Sequence, residues 1–216
     1  MHEVSLKRRV PPRSELTLAD IPPNVGLFPL RGTLLLPNGH LPLHIYEPRY
    51  IALMEHALAT TRLIGVIQPY GMTAFGRPAP LQSTGTLGRI TAFEEGSDGR
   101  FSLTLTGVCR FRLLQAERRE EGWREGRIDI FPYSHDLLES TAPLLDRPAL
   151  KRSLKHYFER HQLETDWKKL EALDDETLLI ALPMILPLDA GDKQALLEAP
   201  DLNERASLLF DMLDQD

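Results

Sequence analysis

The spacing of apolar residues changes near residue 135, and that change constrains the fold more than any other feature of the chain. Before it, short apolar runs are broken by Gly and Pro; after it, apolar residues recur every three or four positions. A two-residue period puts alternate side chains on one face of a strand, whereas a 3.6-residue period draws a stripe along a helix. The sequence therefore predicts an α+β protein. A flexible N-terminal tail is expected over 1–23, a β-rich domain over 24–135 and a helical bundle over 136–216. The tail's VPPR and IPP stretches carry no apolar period with which to join a core.

Strands are expected near Val25–Phe28, Thr33–Leu36, Leu41–Ile45, Leu63–Gln68, Thr86–Phe93, Arg100–Leu105, Val108–Arg119 and Trp123–Phe131. A hairpin should join Gly88–Phe93 to Phe101–Leu105 through Gly96-Ser97-Asp98-Gly99, because Asp-Gly accepts the positive φ of tight turns. Phe101, Leu103 and Leu105 alternate with Ser102, Thr104 and Thr106, which predicts one inward and one outward face. By the same alternation Cys109, Phe111 and Leu113 point inward and Arg110 and Arg112 outward. Short antiparallel strands of this kind tend to curl into a barrel that protects their edges. One helix interrupts them: Pro48 suits a first helical position, and Tyr50, Leu53, Met54, Ala57 and Leu58 form a stripe. Four helices are expected behind residue 135, carrying Leu150–His161, Trp167–Leu173, Leu178–Leu186 and Asp201–Leu213.

At 216 residues the chain can bury a sizeable core. Its longest apolar stretch, Leu178 to Leu188, is interrupted by Pro183 and Pro187 and falls short of the roughly 20 residues a membrane span needs. No apolar segment follows the basic N-terminal residues, and Cys109 is the sole cysteine, so a reducing, cytoplasmic setting is expected. Acidic residues concentrate in the back half, whereas a nucleic-acid binder normally shows a concentrated basic surface. Between Lys7 and Lys151 every basic residue is Arg, which suits either recognition of anions or a coding bias with no function attached.

Catalytic patterns are missing from the sequence. There is no phosphate-cradling G-x-x-x-x-G-K-[ST], no G-x-G-x-x-G, no G-x-S-x-G and no H-E-x-x-H. His40 and His44 fall on an expected strand, where four residues at ~3.3 Å each separate their backbones by about 13 Å, too far to share a metal. Cys109 reads as a small buried thiol. No metal or cofactor is expected, and the chain is expected not to be an enzyme.

The segments Val25-Gly26-Leu27-Phe28-Pro29-Leu30-Arg31-Gly32, Leu36-Pro37-Asn38-Gly39 and Leu41 to Tyr50 (LPLHIYEPRY) form an ordered series. It continues through Gly85-Thr86-Leu87-Gly88-Arg89-Ile90, Asp98-Gly99-Arg100 and Leu105 to Arg112 (LTGVCRFR), then Asp192 to Glu198 (DKQALLE) and Leu202-Asn203-Glu204-Arg205. The series resembles the N-terminal substrate-binding domain of the Lon protease family over about residues 24–214. The resemblance implies a PUA-like β-barrel followed by a helical bundle. In full-length Lon this domain precedes an ATPase module and a Ser-Lys protease module. Neither is expected here, so what the resemblance implies is binding and not hydrolysis.

The expected function is thus a non-catalytic protein- or peptide-binding module for unfolded or partly folded polypeptides, or an adaptor for a separate ATP-dependent protease. The alternative is a PUA-like RNA-binding protein using Arg110, Arg112, Arg118 and Arg119. Candidate binding residues are Glu47, Arg49 and Tyr50 at the start of the inserted helix, whose other reading is fold closure. Three more are Tyr70, Met72 and Phe75 in the Gly- and Pro-rich loop Pro69–Pro80, which either fold back onto the barrel or form an apolar contact surface.

Overall fold

A computed structural model describes residues 16–71, 78–96, 100–138 and 145–215. The chain divides into two compact units: residues 1–31 with 35–139, and residues 32–34 with 140–216. The first is built on a six-stranded mixed sheet: β1 (Asn24–Pro29), β2 (His40–Ile45), β3 (Leu63–Pro69), β4 (Leu81–Glu95), β5 (Phe101–Arg118) and β6 (Arg124–Asp129). The strand order is β2-β5-β4-β3-β1-β6, with a further pairing of β5 to β6. β1 and β3 run parallel, connected through β2 and then α1 (Pro48–Ala59), and the other pairings are antiparallel. β6 is therefore hydrogen-bonded along both edges.

Length lets β5 serve three neighbours. Its first part, Phe101–Thr106, lies between β2 and β4; its last part, Arg112–Arg118, meets β6. A break was expected between Leu105 and Val108, but one bulged strand runs through. The register steps from Gly88↔Gly107 to Leu87↔Cys109, so a single extra residue bends the strand without ending it. Gly107 also explains why Thr33–Leu36 is not the strand its apolar run suggests. The amide of Asn38 donates to the Gly107 carbonyl (3.0 Å) and that of Gly107 to the Gly39 carbonyl (2.9 Å), holding the chain as a loop. A Cβ on Gly107 would sit 2.0 Å from the Leu36 carbonyl oxygen, so the approach requires glycine. Leu34, Leu35 and Leu36 are buried all the same, Leu34 in the helical unit and the other two in the sheet unit.

Leu27, Ile67, Leu87, Val108, Cys109 and Phe111 form the centre of the sheet unit's core. Leu16 and Ile21 join that cluster, and the Ile128 amide donates to the Pro23 carbonyl (2.9 Å). The expectation that the IPP segment has no core to join is thereby corrected: Ile21 supplies the apolar contact directly. Residues 1–15 lie outside the described residues.

Arg110 corrects the outward reading of its strand face. Its side chain is 2% exposed and pairs with Asp136 through Nε (2.9 Å) and Nη2 (2.9 Å), while the same carboxylate accepts the Arg110 amide (2.8 Å). Tyr133 lies under the guanidinium at 4.8 Å. The 3-10 segment Phe131–Leu137 covers a strand face that alternation alone assigns to solvent.

Among the described residues the helical unit holds five helices: α2 (Arg147–Arg160), α3 (Trp167–Glu171), α4 (Asp175–Ile185), α5 (Ala190–Glu198) and α6 (Leu202–Asp214). An aspartate starts each one: Asp146, Asp166, Asp174, Asp189 and Asp201 accept amide hydrogens of the first turn. Part of the back half's acidity therefore serves helix capping, which satisfies orphan amides and suits the helix dipole. α5 lies outside the four-helix reading because it has no apolar stripe. It buries Lys193 and Gln194 beside Leu196 and Leu197, and Lys193 Nζ donates to the Gly32 carbonyl (3.1 Å). Among the described residues no helix is long and apolar enough to cross a membrane.

Candidate functional site

One end of the sheet collects charge and aromatic surface. Pro29 and Pro69 end the parallel strands β1 and β3, and Ala79 precedes β4. At the same end, β5 finishes at Arg118 directly opposite Arg124, the first residue of β6. The connecting turn has Gly122 at φ +94°, a conformation side-chain-bearing residues avoid. That turn brings the chain beside α1: a Cβ on Gly122 would lie 3.4 Å from Arg49 Cβ. Trp123, next in sequence, is buried with its ring 5.1 Å from that of His56 on α1.

Between these elements lies a cavity of about 380 Å³. Arg49, Arg118 and Arg124 contribute its charge; Tyr50, Trp123, Pro29, Pro69, Pro78 and Ala79 contribute most of the rest. The Tyr50 ring meets Phe28 edge to face at 4.5 Å, and the Arg49 guanidinium lies over the Tyr50 ring at 4.5 Å. Burial pushes the Tyr50 phenol above its ordinary range, against the opposing pull of Arg49 and Arg124. Burial also pulls Arg124 below the usual arginine range, and its Nη2 donates to the Ala79 carbonyl (2.8 Å).

Glu47 precedes α1 as its N-cap residue, but its side chain makes no capping bond. It turns instead to Arg49, accepting from Nε (2.9 Å) and Nη2 (2.7 Å). Of the residues singled out in the sequence, Arg49 and Tyr50 line the cavity and Glu47 holds one of them. Tyr70 follows Pro69 and is 51% exposed, so it does not fold back into the core; its amide donates to the Pro80 carbonyl (2.9 Å). Met72 and Phe75 lie outside the described residues.

Sequence reading missed Trp123 and Arg124 as site residues and placed Arg118 with a different set. A usable signal was present in Gly122-Trp123-Arg124, where a glycine turn puts an aromatic and a cation at a strand start. The arginines proposed for an RNA face are also dispersed. Arg110 is buried on Asp136, Arg119 pairs with Glu125 (3.6 Å), and Arg118 belongs to the cavity. His40 and His44 lie on β2 against Thr106 (3.0 Å) and Ser102 (3.1 Å) of β5. The helical unit has a separate apolar groove of about 550 Å³, with Leu150, Leu154, Trp167, Leu170 and Leu178 along it and the Lys151–Glu171 ion pair at its side.

The order of elements places the chain among mixed proteins in which a sheet unit precedes a helical one. More narrowly, it belongs to the ATP-dependent protease La (LON) substrate-binding domain family, whose model matches residues 24–215. Lon protease 2 of Myxococcus xanthus is 27% identical over 205 residues, covering 91% of this chain and 24% of that protein. Lon protease 2 of Sorangium cellulosum is 29% identical, covering 88% and 24%. The chain thus spans about a quarter of the length of these relatives. A crystal structure of a Lon N-terminal domain protein from Xanthomonas campestris superposes with a TM-score of 0.59 at 26% identity, covering 86% of this chain and 96% of that one. The N-terminal domain of a Mycobacterium avium complex Lon protease shares the fold, with a TM-score of 0.57 at 14% identity over 89% and 98% of the two chains.

Proposed function

We propose that this chain is a non-catalytic, cytoplasmic module that binds unfolded or partly folded polypeptides, and that it presents them to an ATP-dependent protease. Membership of a substrate-binding family carries the reading. The cavity at the end of the sheet unit adds a physical reason: aromatic and proline surfaces beside cations give an extended chain both apolar and polar contacts. We assign Glu47, Arg49, Tyr50 and Tyr70 to this binding surface, together with Met72 and Phe75, which follow Tyr70 in the sequence. We further read the strand circuit as a PUA-like barrel. The support is that β1 pairs with β3 and β6, and β5 with β4 and β6, leaving β2 as an edge. Pro42 within β2 lacks an amide hydrogen, so that edge is poorly suited to adding a strand from a client.

The test is a titration of the full chain into a fluorescent, permanently unfolded polypeptide, with its folded form alongside. Saturable, salt-tolerant binding of the unfolded form alone is expected. Binding to neither form, or binding only to RNA with a steep salt dependence, overturns the reading.

A further inference from the structure

We infer that the sheet-end cavity recognises a carboxylate carried on an apolar stretch of polypeptide, with Arg118 and Arg124 as its charge partners. The inference rests on the polypeptide-binding reading and names the group that this site would take. Three guanidinium groups line the cavity, yet Glu47 is spent on Arg49. Arg118 and Arg124 face each other across the β5–β6 pair, an arrangement of like charges that costs stability unless an anion offsets it. Among the described residues no ion pair or side-chain hydrogen bond engages the Arg118 guanidinium, and the described partner of the Arg124 guanidinium is a neutral carbonyl.

Two further observations agree in sign. α1 opens beside the cavity without a side-chain cap, so the positive end of its dipole is not met by its own carboxylate. The remaining walls are proline and aromatic surface, which suits the residues around a carboxylate and not a bare ion. A guanidinium fork matches a carboxylate with two parallel hydrogen bonds. Such a group comes either from a chain's C-terminus or from an Asp or Glu side chain. Phosphate would satisfy the same charges, but the chain's net charge of −6 opposes a polyanion such as RNA.

The experiment uses the full chain and four fluorescent apolar hexapeptides containing Trp and Pro. One ends in a free carboxylate, one in a carboxamide, and two amidated versions carry an internal Asp or Asn. A reduced, carboxamidomethylated polypeptide serves as the unfolded client, and a single-stranded oligonucleotide as competitor. The free-acid peptide, the Asp peptide or both should bind about tenfold more tightly than the neutral counterpart, as expected for a charge-assisted bidentate contact. Which pair shows the difference identifies the source of the carboxylate. Arg118→Gln, at an exposed position, should abolish the difference without lowering the unfolding temperature. Arg124→Gln should also abolish the difference, and Arg118→Glu should reverse the preference. Binding of the unfolded client with no difference between charged and neutral peptides overturns the carboxylate inference and leaves polypeptide binding in place. Failure of both client and peptides to bind overturns both. Displacement of the acid peptide by stoichiometric oligonucleotide assigns the arginines to phosphate and overturns the inference as well.

Discussion

Asp136→Ala should destabilise the sheet unit severely, because it leaves the Arg110 guanidinium buried without its counter-charge. The two side chains are 2% and 7% exposed, so water cannot replace the lost partner. Breaking one half of such a buried pair costs about 3–5 kcal/mol. At roughly 2–4 °C per kcal/mol for a chain of this size, the unit's unfolding temperature should fall by about 10 °C. The double variant Arg110→Met/Asp136→Leu removes both charges and should recover most of the loss. It should not recover all of it, since Asp136 also accepts the Arg110 amide, and an orphaned buried amide costs about 1–3 kcal/mol. The assay is thermal and urea unfolding followed by tryptophan fluorescence in a Trp167→Phe background. Trp123 then reports the sheet unit, because Trp167 is the other tryptophan and lies in the helical unit. A loss below about 1 kcal/mol for Asp136→Ala, or a double variant as unstable as the two singles added together, would refute this reasoning.

Three further outcomes follow from the packing and charge. Gly107→Ala should cost about 1–3 kcal/mol in the same assay, because its Cβ would collide with the Leu36 carbonyl, which is backbone and cannot rotate away. Asp201→Ala should weaken α6 by about 1 kcal/mol through loss of its bond to the Glu204 amide (2.9 Å), read as helical circular dichroism lost earlier in a thermal scan. Burial lowers the Lys193 pKa in the folded state, so between that value and 10.5 the unfolded chain holds more protons; stability of the helical unit should rise with pH across that window, and Lys193→Met should flatten the rise.

Periodic elements were legible because their burial follows a simple geometric rule. α1 buries Leu53, Met54 and Ala57 on the expected stripe, and Phe101, Leu103 and Leu105 face inward from β5. Where the local pattern misled, a non-local partner had changed the environment. Arg110 is drawn inside by Asp136, 26 positions later, and α5 buries a lysine whose partner carbonyl is 161 positions earlier. The cavity was legible only in part for the same reason. Arg49 and Tyr50 stand out at a helix start, but nothing local to them announces Arg118, Trp123 and Arg124, which arrive through the sheet register and the Gly122 turn.

The central claim is that unfolded polypeptide docks at the arginine- and aromatic-lined end of the sheet unit. The most direct measurement is a nitrogen-15 spectrum of the two tryptophan indoles and the arginine Nε groups during titration with an unfolded polypeptide. The account predicts progressive shifts of Trp123, Arg118 and Arg124 while Trp167 stays in place. Shifts confined to Trp167, which would move binding to the helical groove, or no shift at saturating polypeptide, would contradict it.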